Sequence, residues 1–223
     1  MIPFTFATRG RVSFYDDFRS GDFKSAWTLA NPSLNRWHVG TNAKAEGTHG
    51  AYISRDLNNP VYNSGNTTAF CYFDVKIPYN AVRMKVNFYW KCFGERGTFA
   101  PEENYDFGFV MLARASFNPV ANTEYPIGGA SDDNYERLDS SVDYGRITGD
   151  GSGSRNNNGS SQFISDSMEI NAGNALFTAG LTRRIIFGWV NDGSGQYQPP
   201  LCIDKIRVTW SDSTSIAPPS VDG

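Results

Sequence analysis

Met84-Lys85-Val86-Asn87-Phe88-Tyr89-Trp90 sets Met84, Val86, Phe88 and Trp90 at every second position. Side chains of an extended strand alternate between its two faces, so these four share one face of a strand, an arrangement no helix face can reproduce. The habit spreads outward from this segment. Short runs of aromatic and β-branched residues alternate with Gly, Asn, Asp, Ser and Pro, which predicts strands over Arg11–Phe18, Trp37–Gly40, Ala51–Ser54, Ala69–Lys76, Ala81–Cys92, Phe107–Ala115, Gln162–Ile170, Thr182–Val190 and Ile203–Trp210. In the eighth of these, Ile185, Phe187 and Trp189 oppose Ile186, Gly188 and Val190. Only Ser25–Trp27 reads as a turn of helix. Strands without intervening helices predict an all-β fold, two antiparallel sheets packed as a single-domain sandwich.

The composition supports a large core. Sixteen Phe, 11 Tyr and 5 Trp in 223 residues exclude a wholly disordered chain, because each buried aromatic removes a large area from water. With 20 basic and 23 acidic side chains the net charge is −3, which excludes the basic footprint of a general nucleic-acid binder. No apolar run reaches the ~18 residues of a membrane helix, so no membrane insertion is expected. The two histidines, His38 and His49, and three cysteines offer no CxxC or HxxxH spacing for zinc. Cys71 and Cys92 lie in apolar runs and read as buried thiols, with a mutual disulfide as the alternative. The opening Met1-Ile2-Pro3-Phe4-Thr5-Phe6 lacks signal-peptide features, so an excised piece or a route other than general secretion is expected.

The organisation follows from where polarity concentrates. Residues 1–12 form a lead-in, 13–210 the sandwich with a long polar loop over 118–161, and 211–223 a linker or tail of Ser, Pro and Asp. No catalytic constellation can be assembled from the pattern. Glycosidase carboxylates must converge to about 5–5.5 Å in retaining enzymes, yet Glu102-Glu103 and Asp132-Asp133 are adjacent pairs in loops. Asp192-Gly193-Ser194-Gly195 reads as turn chemistry and not as a nucleophile elbow. No enzyme is expected, and glycoside hydrolysis is disfavoured. Recognition suits the loops better, since aromatic faces stack on sugar rings while amides and carboxylates hold hydroxyls. Trp37, Tyr125, Tyr135, Tyr144 and Tyr197 read as exposed loop-edge aromatics, and the ligand-binding set is expected to be Trp37, Tyr197, Asp192 and Gln196.

The order of motifs resembles the MAM-like β-sandwich modules of bacterial surface proteins, the choice-of-anchor J and cleaved-adhesin domains. The likeness runs through Asp16-Asp17-Phe18-Arg19-Ser20-Gly21, Trp37-His38-Val39-Gly40-Thr41, Gly50-Ala51-Tyr52-Ile53-Ser54, Trp90-Lys91-Cys92-Phe93-Gly94-Glu95, Tyr105-Asp106-Phe107-Gly108-Phe109-Val110, Phe187-Gly188-Trp189-Val190-Asn191-Asp192-Gly193 and Ile203-Asp204-Lys205-Ile206. It spans Ser13 to Trp210. The resemblance implies a concanavalin A-like jelly roll, an adhesion or carbohydrate-binding role at the cell surface or outside the cell, and often a structural calcium. It places that calcium at Asp17 and Asp204, although Arg19 stands where the family carries an acid and offers Asp204 a salt bridge instead. The implied partner is a glycan or surface protein, met in several copies through tandem domains or a homo-oligomer. The alternative is a virion protein, a head decoration or tail appendage of a bacterial virus, using the same sandwich for attachment.

Overall fold

The computed structural model describes residues 11–96, 104–125, 134–137 and 162–212. Among the described residues twelve strands follow one another: β1 (Arg11–Asp16), β2 (Trp27–Ala30), β3 (Arg36–Gly40), β4 (Gly50–Ser54), β5 (Thr67–Lys76), β6 (Ala81–Lys91), β7 (Glu95–Arg96), β8 (Asn104–Arg114), β9 (Tyr135–Arg137), β10 (Ile164–Asn171), β11 (Thr182–Asn191) and β12 (Cys202–Asp212). They build two six-stranded sheets. One runs β10-β6-β12-β4-β3 with β1 also on β12, and the other runs β2-β5-β11-β8-β7 with β9 also on β8. Every pairing is antiparallel. Between successive described strands the chain crosses from sheet to sheet eight times in eleven, the winding of a jelly roll. Ser25 and Ala26 make a turn before β2, with no helix there.

The period-two residues meet where expected. Met84, Val86, Phe88 and Trp90 of the first sheet are at most 1% exposed and face Cys71, Phe73, Ile185, Phe187 and Trp189 of the second within one core. Phe88 and Phe187 touch edge to face at 5.2 Å across the two sheets. The second sheet is buried on its outer side as well. Phe70, Tyr72, Phe109, Met111, Ile186 and Val190 form a separate cluster capped by Phe117, Tyr125 and Tyr135. Strand alternation puts Gly188 on that outer side, where a Cβ would collide with the Phe109 ring. Arg184 pins the covering segment by donating from Nη1 to the Phe117 carbonyl at 2.7 Å.

This cover corrects one expectation. Tyr135 is 8% exposed, and it packs tilted against Phe117 and edge to face on Tyr125 over the sheet in place of standing free at a loop edge. Tyr144 and most of the 118–161 loop lie outside the described residues. Cys71, Cys92 and Cys202 are buried and none is in a disulfide, so Cys71 and Cys92 are not joined, in line with the buried-thiol reading.

Candidate functional site

Three strand ends converge at one rim of the sandwich. β6 leaves toward Phe93 and Glu95, β8 enters with Asp106, and β11 leaves through Asn191 into the Asp192–Leu201 loop that leads to β12. Tyr62, in the connection between β4 and β5, plugs the space beneath. It is fully buried, and its ring meets Trp189 edge to face at 5.1 Å. Its hydroxyl donates to Asp106 Oδ2 at 2.6 Å and accepts the Tyr197 amide at 3.0 Å. Gln198 clasps the Tyr62 backbone from the other side, its Oε1 accepting the Tyr62 amide at 3.2 Å and its Nε2 donating to the Tyr62 carbonyl at 2.9 Å. The Phe93 amide donates to the Pro199 carbonyl at 2.8 Å.

On this anchored loop Tyr197 stands 51% exposed, its ring stacked on Phe93 with centroids 5.8 Å apart and planes inclined by 26°. Gln196 beside it is exposed, and Asp192 is half-buried. The structure therefore brings together three of the four residues expected to bind ligand. Trp37 is the correction. It is 2% exposed, because β3 turns Trp37 and Val39 inward and Arg36 and His38 outward, so its face cannot stack on a ligand.

Three carboxylates crowd below the tyrosine. One oxygen each from Glu95, Asp106 and Asp192 lies within 4.8 Å of the others. Asp106 is fully buried, and its Oδ1 accepts the Asp192 amide at 2.8 Å. Burial, with the nearby charges of Asp192 and Glu95, pushes its pKa up to about 7, against the opposing hydrogen bonds from Tyr62 and the Asp192 amide. Burial and Asp192 raise Glu95 as well. The Oε2 atom of Glu95 is buried with no hydrogen-bond partner. Gly195, at φ +57°, lies against this carboxylate so closely that a Cβ would overlap it. Among the described residues no lysine or arginine pairs with any of the three.

The pair expected to hold calcium has other partners. Asp17 lies just past β1 and accepts from Arg19 Nε at 3.1 Å and from the Tyr15 hydroxyl at 3.3 Å. Asp204 is buried, with Oδ2 accepting the amides of Ala45 and Glu46 at 2.8 and 3.1 Å and Oδ1 that of Lys205 at 2.7 Å. Arg19 thus pairs with Asp17, not with Asp204. The neighbouring Asp16 is taken up by Lys24, the Trp27 indole and the Phe18 amide.

Sequence reasoning missed Phe93, Glu95, Asp106 and Tyr62 as site residues. One signal was available, an aspartate at position 106 heading the apolar run Phe107-Gly108-Phe109-Val110-Met111-Leu112.

No family model matches the chain, and no curated protein matches it. Among solved structures it is similar to the carbohydrate-binding module TmCBM61 in complex with β-1,4-galactotriose, at 12% identity and TM-score 0.45, over 87% of this chain and 94% of that one. It is similar to the K2 cleaved adhesin domain of Lys-gingipain at 13% and 0.47, over 88% and 98%. It is also similar to the enzymatically active domain of tailspike protein 4 of bacteriophage CBA120 at 10% and 0.43, over 84% and 20%. None of these likenesses assigns a role to a residue of this chain.

Proposed function

We propose that this domain is a non-catalytic carbohydrate-binding module, and that Tyr197, stacked on Phe93 and flanked by Gln196 and Asp192, is its sugar platform. The observation that carries the reading is an aromatic ring left half-exposed on a loop that is otherwise tied down. The Tyr62 hydroxyl, the Gln198 clasp and the Pro199 carbonyl all fix the backbone around it. A ring held in place before the ligand arrives loses little freedom on binding, which is where weak sugar contacts gain most. Asp192 and Gln196 supply an acceptor and an amide for hydroxyls beside the ring.

Hydrolysis fits the same rim poorly. A catalytic pair must reach the scissile bond, yet Asp106 is fully buried with both oxygens engaged and Glu95 Oε2 is sealed from solvent. Among the described residues no helix is long and apolar enough to cross a membrane, and the reading needs none.

The test is a glycan array followed by titration of the best hit. Tyr197→Ala should abolish retention and leave the melting midpoint within about 1–2 °C, the shift expected of a neutral surface change. Binding that survives Tyr197→Ala would overturn the platform. Release of reducing sugar from a polysaccharide panel by the wild-type chain would overturn the non-catalytic reading.

A further inference from the structure

We propose that Glu95, Asp106 and Asp192 form a calcium site that ties the ends of β6, β8 and β11 together beneath the Tyr197 loop. The first observation is geometric, the convergence of three carboxylate oxygens within 4.8 Å of one another. Oxygens on opposite sides of an ion bound at about 2.3–2.6 Å stand about 4.6–5.2 Å apart, so a group of this spread is compatible with three of the oxygens around one calcium ion. The second observation points to a missing cation. Glu95 Oε2 is buried and accepts from nothing, although a buried carboxylate oxygen normally finds a donor. Among the described residues no basic side chain comes to the cluster.

Electrostatics then leaves two states. Like charges this close in a poorly solvated place repel strongly, so the cluster either takes up protons or holds a cation. The donors are all hard oxygens with no histidine or cysteine among them, which selects calcium over zinc. Gly195 matters here, because a side chain at that position would push into the Glu95 carboxylate and open the group. The site shares no residue with Asp17 or Asp204, whose oxygens accept from N–H, hydroxyl and guanidinium donors.

The inference stands apart from the glycan reading, since its readouts need no sugar. The full chain is stripped with chelator, then titrated calorimetrically with calcium and, in parallel, melted with calcium or magnesium. The expected result is one calcium per chain and a midpoint raised by about 5–10 °C at 100-fold excess over Kd. Glu95→Gln and Asp192→Asn should lose both the heat and the shift, while Asp17→Asn keeps them. In chelator, Glu95→Gln should melt no lower than the wild type, because it removes a charge from a crowded group. Wild-type protein with neither heat nor shift would overturn the site. So would a calcium response retained in Glu95→Gln and lost in Asp17→Asn, or a response to magnesium alone.

Discussion

Trp90 and Trp37 show what a single residue contributes and how much of it a sequence displays. Trp90 closes the alternation Met84, Val86, Phe88, Trp90 and is fully buried, so Trp90→Ala should cost about 3–5 kcal/mol in denaturant unfolding. Trp37→Ala should cost a similar amount, and glycan retention measured below its transition should be unchanged. That outcome reverses the sequence-based expectation of a surface platform. The signal for burial was present, since Trp37 and Val39 alternate with Arg36 and His38, but residues before and after looked like loop and the period was too short to weigh. His38 is the outward partner in that alternation and packs edge to face on Tyr52 at 5.5 Å. Burial, helped by Arg36, holds its pKa below 6.5 against the pull of Asp56 and Asp22. The folded chain therefore binds fewer protons at this site than the unfolded chain, so stability is present above pH 6.5 and lost as the pH falls through the lowered folded value. His38→Gln should flatten the part of the stability profile between about pH 7 and 5, read from urea midpoints.

At the scale of elements, the long strands were legible, as were the short β1, β3 and β4, whereas β2, β7 and β9 were not. β6, β11 and β12 each carry enough alternating apolar residues to declare themselves. β2 has only Trp27-Thr28-Leu29-Ala30, with Thr28 and Leu29 exposed, and exists because it pairs with β5 from Phe70 to Phe73. Tertiary pairing, not local preference, makes such strands. The carboxylate cluster was hidden for the same reason. Asp106 meets the Asp192 amide across 86 residues and the Tyr62 hydroxyl across 44, distances over which no spacing rule operates. The exit of β11 carries a buried network that holds this rim in place. Asn191 Oδ1 accepts from the Trp189 indole at 3.1 Å, from Asn35 Nδ2 at 3.2 Å and from the Thr67 hydroxyl, while its Nδ2 donates to the carbonyls of Asn63, Gly65 and Asp192. Asn191→Ala leaves several of these groups buried and unpaired, and should cost about 2–4 kcal/mol. The loop it anchors should exchange its amide hydrogens faster, while protection in β6 and β12 changes less.

For the whole molecule, the decisive quantity is how much ring surface the Tyr197 rim offers to a ligand. Both faces of the β5-β11-β8 sheet are covered, and the rim around Tyr197 presents one accessible ring stacked on a second. A platform of this size with two or three polar neighbours should bind a sugar with Kd in the ~0.1–1 mM range, or about 4–5.5 kcal/mol. Attachment at that strength fails for an isolated copy, so useful adhesion requires several domains held together. Joining copies makes each later binding event intramolecular, and the gain is typically ~10²–10⁴-fold when the linkers span the sites. The prediction compares the single domain with a four-copy fusion on immobilised glycan. The fusion should be retained at least ~100-fold more strongly, and Tyr197→Ala in every copy should remove the gain entirely. Equal retention of one copy and four would mean that each domain already binds tightly, through a surface larger than this rim.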